Sequence, residues 1–173
     1  MSCHIEPRNS ASQILEQTFG PLATKIVSAH ESKGIHHRES VRTTQDGRVL
    51  AYNLVDFDLP TPFKREHELI LQGNPLATTF QCYGHPIFRD TLCFFSFQPL
   101  KSLIDLFQSE DNPLVKVVDF YVGREPAKVH YAKIIEIYSP VTAMLLNYTH
   151  DSETQEGLIA ATIDLLKKHT FKR

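Results

Sequence analysis

Arg38 and Glu136 are the residues whose setting best suits ligand chemistry. Arg38 opens the segment Arg38-Glu39-Ser40-Val41, which runs toward a glycine turn. A guanidinium is a planar, permanently charged fork that grips a carboxylate through two parallel N–H donors. Glu136 interrupts the apolar run Ile134-Ile135-Glu136-Ile137-Tyr138. A carboxylate among apolar neighbours needs a partner or takes up its proton more readily, and either outcome makes it a candidate acid or ligand contact. The plainer alternative puts Glu136 on the solvent side of a half-buried strand. Between these two residues lie Gly73-Asn74-Pro75-Leu76-Ala77 and Arg89-Asp90.

The other chemistry-bearing residues form no pattern. The chain has no glycine-rich phosphate loop, no His-Glu-x-x-His, no Cys-x-x-Cys and no Gly-x-Ser-x-Gly elbow. The nine histidines show no ligand spacing. His36 and His37 are adjacent, so on a strand they face opposite ways, and a histidine without a partner is ordinarily a surface or packing residue. Cys3, Cys82 and Cys93 are odd in number and match no zinc spacing. They read as reduced thiols, with Cys82 and Cys93 acting as small hydrophobes. No metal and no cofactor is expected. Eighteen Lys and Arg stand against twenty Asp and Glu, a net charge of −2, which gives no support for binding nucleic acid or an anionic membrane. Met1 to Arg8 lacks the apolar stretch of a signal peptide. The densest apolar run, Leu92 to Phe97, is far too short to span a bilayer. A cytoplasmic protein is expected, monomeric or a homodimer.

These residues need elements to hold them. A length of 173 residues, 42% hydrophobic and 22% charged, suits one domain over residues 1–173 with an ordinary core. Its first nine residues are expected to be flexible, and a helix is expected within 150–173. Apolar residues at Ile14, Leu15, Phe19, Leu22, Ile26 and Val27 recur at helical spacing from Ser10 to about Ser32, and Gly20-Pro21 divides them into two short helices. Strands are expected at His37–Thr44 and Arg48–Asp58, joined by the Asp46-Gly47 hairpin turn. Glu66–Leu71 reads as a helix, Leu76–Tyr83 as helix or strand, and Pro86–Phe97 as a buried strand. Pro99–Gln108 reads as an amphipathic helix. Val115–Val122 and Val129–Tyr138 are β-branched strands, and Thr154–His169 is a last helix with an apolar stripe. Strands joined locally, with helices at the ends and in one central excursion, imply an α+β fold: a single antiparallel sheet covered by helices.

In order and type, these segments resemble the chorismate lyase family. That family has an Arg-Glu strand followed by a hairpin, a Pro-Leu-Gly turn, a segment ending in Arg-Asp, and a late Thr-Glu-x-Phe-x-Pro strand. Arg38-Glu39, Pro75-Leu76, Arg89-Asp90 and Glu136-Ile137-Tyr138-Ser139-Pro140 match these here. The match covers roughly half the chain. The resemblance implies a cofactor-independent lyase that eliminates pyruvate from chorismate to leave 4-hydroxybenzoate. Arg38 would hold the ring carboxylate, the Leu76 N–H would reach the ligand, and Glu136 would bond its hydroxyl end. Leu76, Ala77 and Arg89 join them as expected substrate contacts. Ala77 stands where the family has glycine, adding a Cβ to that turn. The stretch before Arg38 reads as short and without strands, the interval from Arg89 to Glu136 carries the extra helix, and the basic cluster before the last strand is reduced to Arg124 and Lys128. Two other readings stay open. One is a repurposed enzyme acting on a larger acid. The other is a non-catalytic small-molecule binder, since the same fold serves as the effector-binding half of some regulators.

Overall fold

The computed structural model describes residues 11–147 and 156–171. The first nine residues, expected to be flexible, Ser10, Cys3 and the first two residues of the expected last helix lie outside them. In chain order the elements are α1 (Ala11–Phe19), β1 (Ala23–Ser32), β2 (Ile35–Thr43), β3 (Val49–Asp58), α2 (Lys64–Leu71), α3 (Leu76–Cys82), β4 (Ile87–Ser96), α4 (Lys101–Phe107), β5 (Leu114–Val122), β6 (Val129–Tyr138), α5 (Pro140–Leu146) and α6 (Glu156–Lys168). The six strands form one sheet in the order β1-β2-β3-β6-β5-β4, and every neighbouring pair is antiparallel. The α+β class read from the sequence is the observed one.

Because successive side chains on a strand alternate faces, the register sorts the core into two layers. On one face Val55, Phe57, Phe120 and Tyr131 pack with Ile70 of α2 and Phe80 of α3. The far end of that face carries Ala51, Leu114 and Tyr138, covered by Ala11 of α1 and by Ala143 and Leu146 of α5. On the opposite face Val41, Tyr52, Val115, Val117 and Ile137 pack with Leu103, Leu106 and Phe107 of α4 and Leu166 of α6. These are called the α2 face and the α6 face below.

Four expectations change. The second early helix is instead strand β1, paired with β2 from Ala23↔Thr43 to Ser32↔Ile35. Its residues Thr24, Ile26 and Val27 are β-branched, and the open edge of β2 supplied a partner that a local apolar spacing cannot foresee. A strand therefore does precede Arg38. Second, β4 is an edge strand with Arg89, Asp90 and Thr91 exposed, so only its latter half is buried. Third, a helix that was not expected, α5, follows β6 at Pro140: Ser139 caps it, its Oγ accepting from the Thr142 N–H at 3.3 Å, with proline at the first turn. Fourth, Cys82 is exposed, and of the two described cysteines only Cys93 is buried. Leu76–Tyr83, left open between helix and strand, is helical through Cys82.

Candidate functional site

Register places Arg38 and Glu136 on one face. Ser40 pairs with Asn53, Asn53 with Glu136, and Glu136 with Lys116, a straight polar row across four strands of the α2 face. Arg38 lies one side-chain repeat away, in the row Arg38, Val55, Ile134 and Val118. β2 and β6 are separated only by β3, so the two residues stand on strands about 10 Å apart. The polar row runs between two roofed ends: α2 and α3 cover one, α1 and α5 the other. A sheet face that is apolar at both ends and polar across its middle can seat a small molecule on a greasy floor and orient it with a few polar groups.

Arg38 is 9% exposed. Its Nη1 donates to the Ile70 carbonyl at 2.6 Å, and its guanidinium lies 5.1 Å from the Phe57 ring centroid. The first contact ties the strand to the last turn of α2, whose carbonyl end attracts a cation. Burial pulls the Arg38 pKa below its ordinary value. Its Nε is buried and makes no hydrogen bond, and among the described residues no carboxylate pairs with it. Two histidines that were not singled out from the sequence lie beside it. His36 precedes Arg38 by two residues on β2 and so shares its face. It is 8% exposed, with neither ring nitrogen hydrogen-bonded; Glu31 is 3.5 Å from Nδ1. His67 of α2 stands edge-on to His36 at 5.8 Å. Its Nδ1 meets the Tyr131 hydroxyl at 2.6 Å while its Nε2 is buried without a partner. Burial, and then the nearness of His36, lower the His67 pKa. Burial likewise pushes the Tyr131 hydroxyl well above its ordinary range. The signal that could have found His36 was its i, i−2 spacing from Arg38; nothing in the sequence pointed to His67.

Glu136 is half-buried rather than fully solvated. Its Oε2 accepts from the Tyr138 hydroxyl at 2.9 Å and lies 4.0 Å from Lys116 Nζ. The partner a carboxylate requires in such a run is therefore present, in the form of a tyrosine and a lysine on the same face.

The remaining expected contacts divide. Leu76 begins α3, half-buried against the cluster that contains Ile70 and Phe80, close to the Arg38 end of the face. Ala77 follows it in the helix's first turn. The left-handed position of that loop falls on Gly73 (φ 102°) and not on residue 77, so the Cβ of Ala77 costs no backbone strain there. Arg89 is not brought to the site. It lies on β4, four strands from Arg38, or roughly 19 Å across the sheet. It is exposed, with its guanidinium 5.8 Å from the Phe120 ring centroid. No group of three or more histidine, cysteine or acidic side chains able to hold a metal exists among the described residues, and none of their helices is long and apolar enough to cross a membrane.

No family model matches the sequence, and no curated protein sequence matches it. Solved structures do. The gene product SA0254 of Staphylococcus aureus superposes with a TM-score of 0.51 at 15% identity, over 71% of this chain and 85% of that one. A GntR-family transcriptional regulator from Bacillus cereus gives a TM-score of 0.51 at 7% identity, over 76% of this chain and 96% of that one. At these identities the likeness is one of fold: a single antiparallel six-stranded sheet with helices on it.

Proposed function

We propose that this chain is a small-molecule-binding domain of the chorismate lyase-like fold. Its ligand is a compact carboxylate seated on the α2 face, with Arg38 as anion anchor and the Ser40, Asn53, Glu136 and Lys116 row orienting the rest. The observation that carries this reading is the buried Arg38 guanidinium, whose Nε has no hydrogen-bond partner and which has no acidic partner among the described residues. A buried charge left uncompensated is costly, and an anionic ligand supplies the compensation. Glu136 favours binding over acid catalysis, since its carboxylate is already engaged by Tyr138 and Lys116. The shared fold with a Bacillus cereus regulator fits a sensing role.

Calorimetric titration with 4-hydroxybenzoate tests the proposal. Wild-type protein binds it saturably, and Arg38→Met, checked for an intact fold by its melting curve, loses about ten- to hundredfold in affinity, the scale of one charged hydrogen-bonding pair. Equal affinity in the variant removes the site. Chorismate given to the same protein releases no pyruvate. Stoichiometric pyruvate and 4-hydroxybenzoate would replace the binding reading with the lyase one.

A further inference from the structure

The opposite face of the sheet holds a cleft that the carboxylate site does not use. It has a volume of about 420 Å³ and lies between the sheet and α6, within the size range of ordinary ligand sites. Its floor is Leu54, Ile135 and Val117, which are register partners and so lie side by side. Its roof is one stripe of α6: Leu158, Ala161 and Leu165. Arg38 and Val55 border it with their backbone, because their side chains turn to the α2 face.

Helix α6 is apolar over more of its circumference than the sheet covers. Leu166 is wholly buried and Ile159 and Ile163 pack with the core. Leu165, on the cleft side, remains 47% exposed. A second apolar stripe turned over an apolar floor, with space between them, is the form of a slot for a slender hydrocarbon body.

One end of this slot is polar. The next register row on the same face reads His30, His37, Asp56, Lys133 and Asp119. Its acids are already engaged: Asp56 by His37 Nδ1 at 2.7 Å, and Asp119 by His130 Nε2 at 3.1 Å. Glu39, also at the cleft, accepts from the Tyr52 hydroxyl and meets His169 Nε2 at 3.1 Å. Lys133 lines the cleft and forms no ion pair among the described residues. The slot is thus apolar along its length and ends at a cation whose acidic neighbours are committed to histidines.

We propose that the cleft between α6 and the sheet is a second binding site, for an amphipathic monoanion with an unbranched apolar body and a carboxylate head directed to Lys133. It is independent of the Arg38 site, since the two lie on opposite faces.

Titration of the full chain with decanoate below its micelle concentration, followed by NMR and calorimetry, tests this. Decanoate binds at one saturable site, and decanol binds about tenfold more weakly. Lys133→Met brings decanoate down to the decanol level and leaves decanol unchanged. Ala161→Trp, at an exposed position of the roof, fills the slot and abolishes both. Leu165→Glu, also at an exposed position, does the same by charge and serves if the tryptophan variant melts early. Arg38→Met binds decanoate as wild type does. The proposal is overturned if decanoate does not bind, if it binds the roof variants undiminished, if decanol binds equally well, or if Arg38→Met removes the decanoate signal.

Discussion

Arg38 lies beneath α2 rather than α6 because of the parity of one strand position, and that parity also decides its company. Residues 36, 38 and 40 share its face, whereas residues 37 and 39 go to the other and join Asp56, Tyr52 and His169. Histidines divide in the same way. Burial lowers the His67 pKa, whereas His130 sits between Asp58 at 2.6 Å and Asp119 at 3.1 Å. Burial alone would lower the His130 pKa, but the two carboxylates outweigh it and the net direction is up. A histidine whose folded pKa is raised contributes stability that is fully present below its unfolded value, about 6.5, and is lost as pH rises through the folded one. Melting curves of His130→Gln are therefore expected to fall below wild type in mildly acidic buffer by about 1 kcal/mol, the scale of a partly exposed ion pair. The two curves converge in alkaline buffer. A difference that grows with pH would contradict the assignment.

At the scale of elements, β1 and α5 are what the reading of the sequence missed. For α5 the start signals are present, Ser139 as cap and Pro140 in the first turn, but the helix itself was not expected. Ser139 is 2% exposed, and its Oγ also donates to Thr142 Oγ1 at 2.9 Å. Ser139→Ala is expected to cost about 1 kcal/mol, or roughly 2–4 °C in Tm for a chain of this length. An unchanged Tm would mean that α5 adds nothing to the cooperative unit. For β1 local signals do not suffice. Leu22, Ile26 and Val27 suit a short helix as well as a strand, and the hydrogen bonds offered by the edge of β2 decided between them.

At the scale of the whole molecule, one sheet separates two layers, one for each proposed site. Helices α2, α3, α1 and α5 frame the polar row on one face, and α4 and α6 cover the other. Helix α6 is joined to the core through Leu166, which belongs to the same buried cluster as Val41, Tyr52 and Val115. Leu166→Ala removes a wholly buried side chain and is expected to lower the unfolding free energy by about 2–5 kcal/mol in a urea titration, with a single transition retained. A loss under about 1 kcal/mol, or two separate transitions, would show that α6 unfolds apart from the sheet.

The sequence by itself determined the class of fold and five of the six strands, and it singled out Arg38 and Glu136 as candidates for a ligand. Strand and helix periods are local, and a lone arginine or an acid within an apolar run is visible without tertiary structure. Tertiary structure alone decided the rest. Strand order put Arg38 and Glu136 on neighbouring rows and left Arg89 four strands away. The fold brought His67, remote in sequence, against His36, and aligned Ser40, Asn53, Glu136 and Lys116 into one row. It also set α6 over the sheet so that Leu158, Ala161 and Leu165 roof a cleft. The physical reason is common to all of these: cross-strand neighbours are fixed by register and by which edges pair, and both are settled by burial of the whole sheet rather than by any one segment.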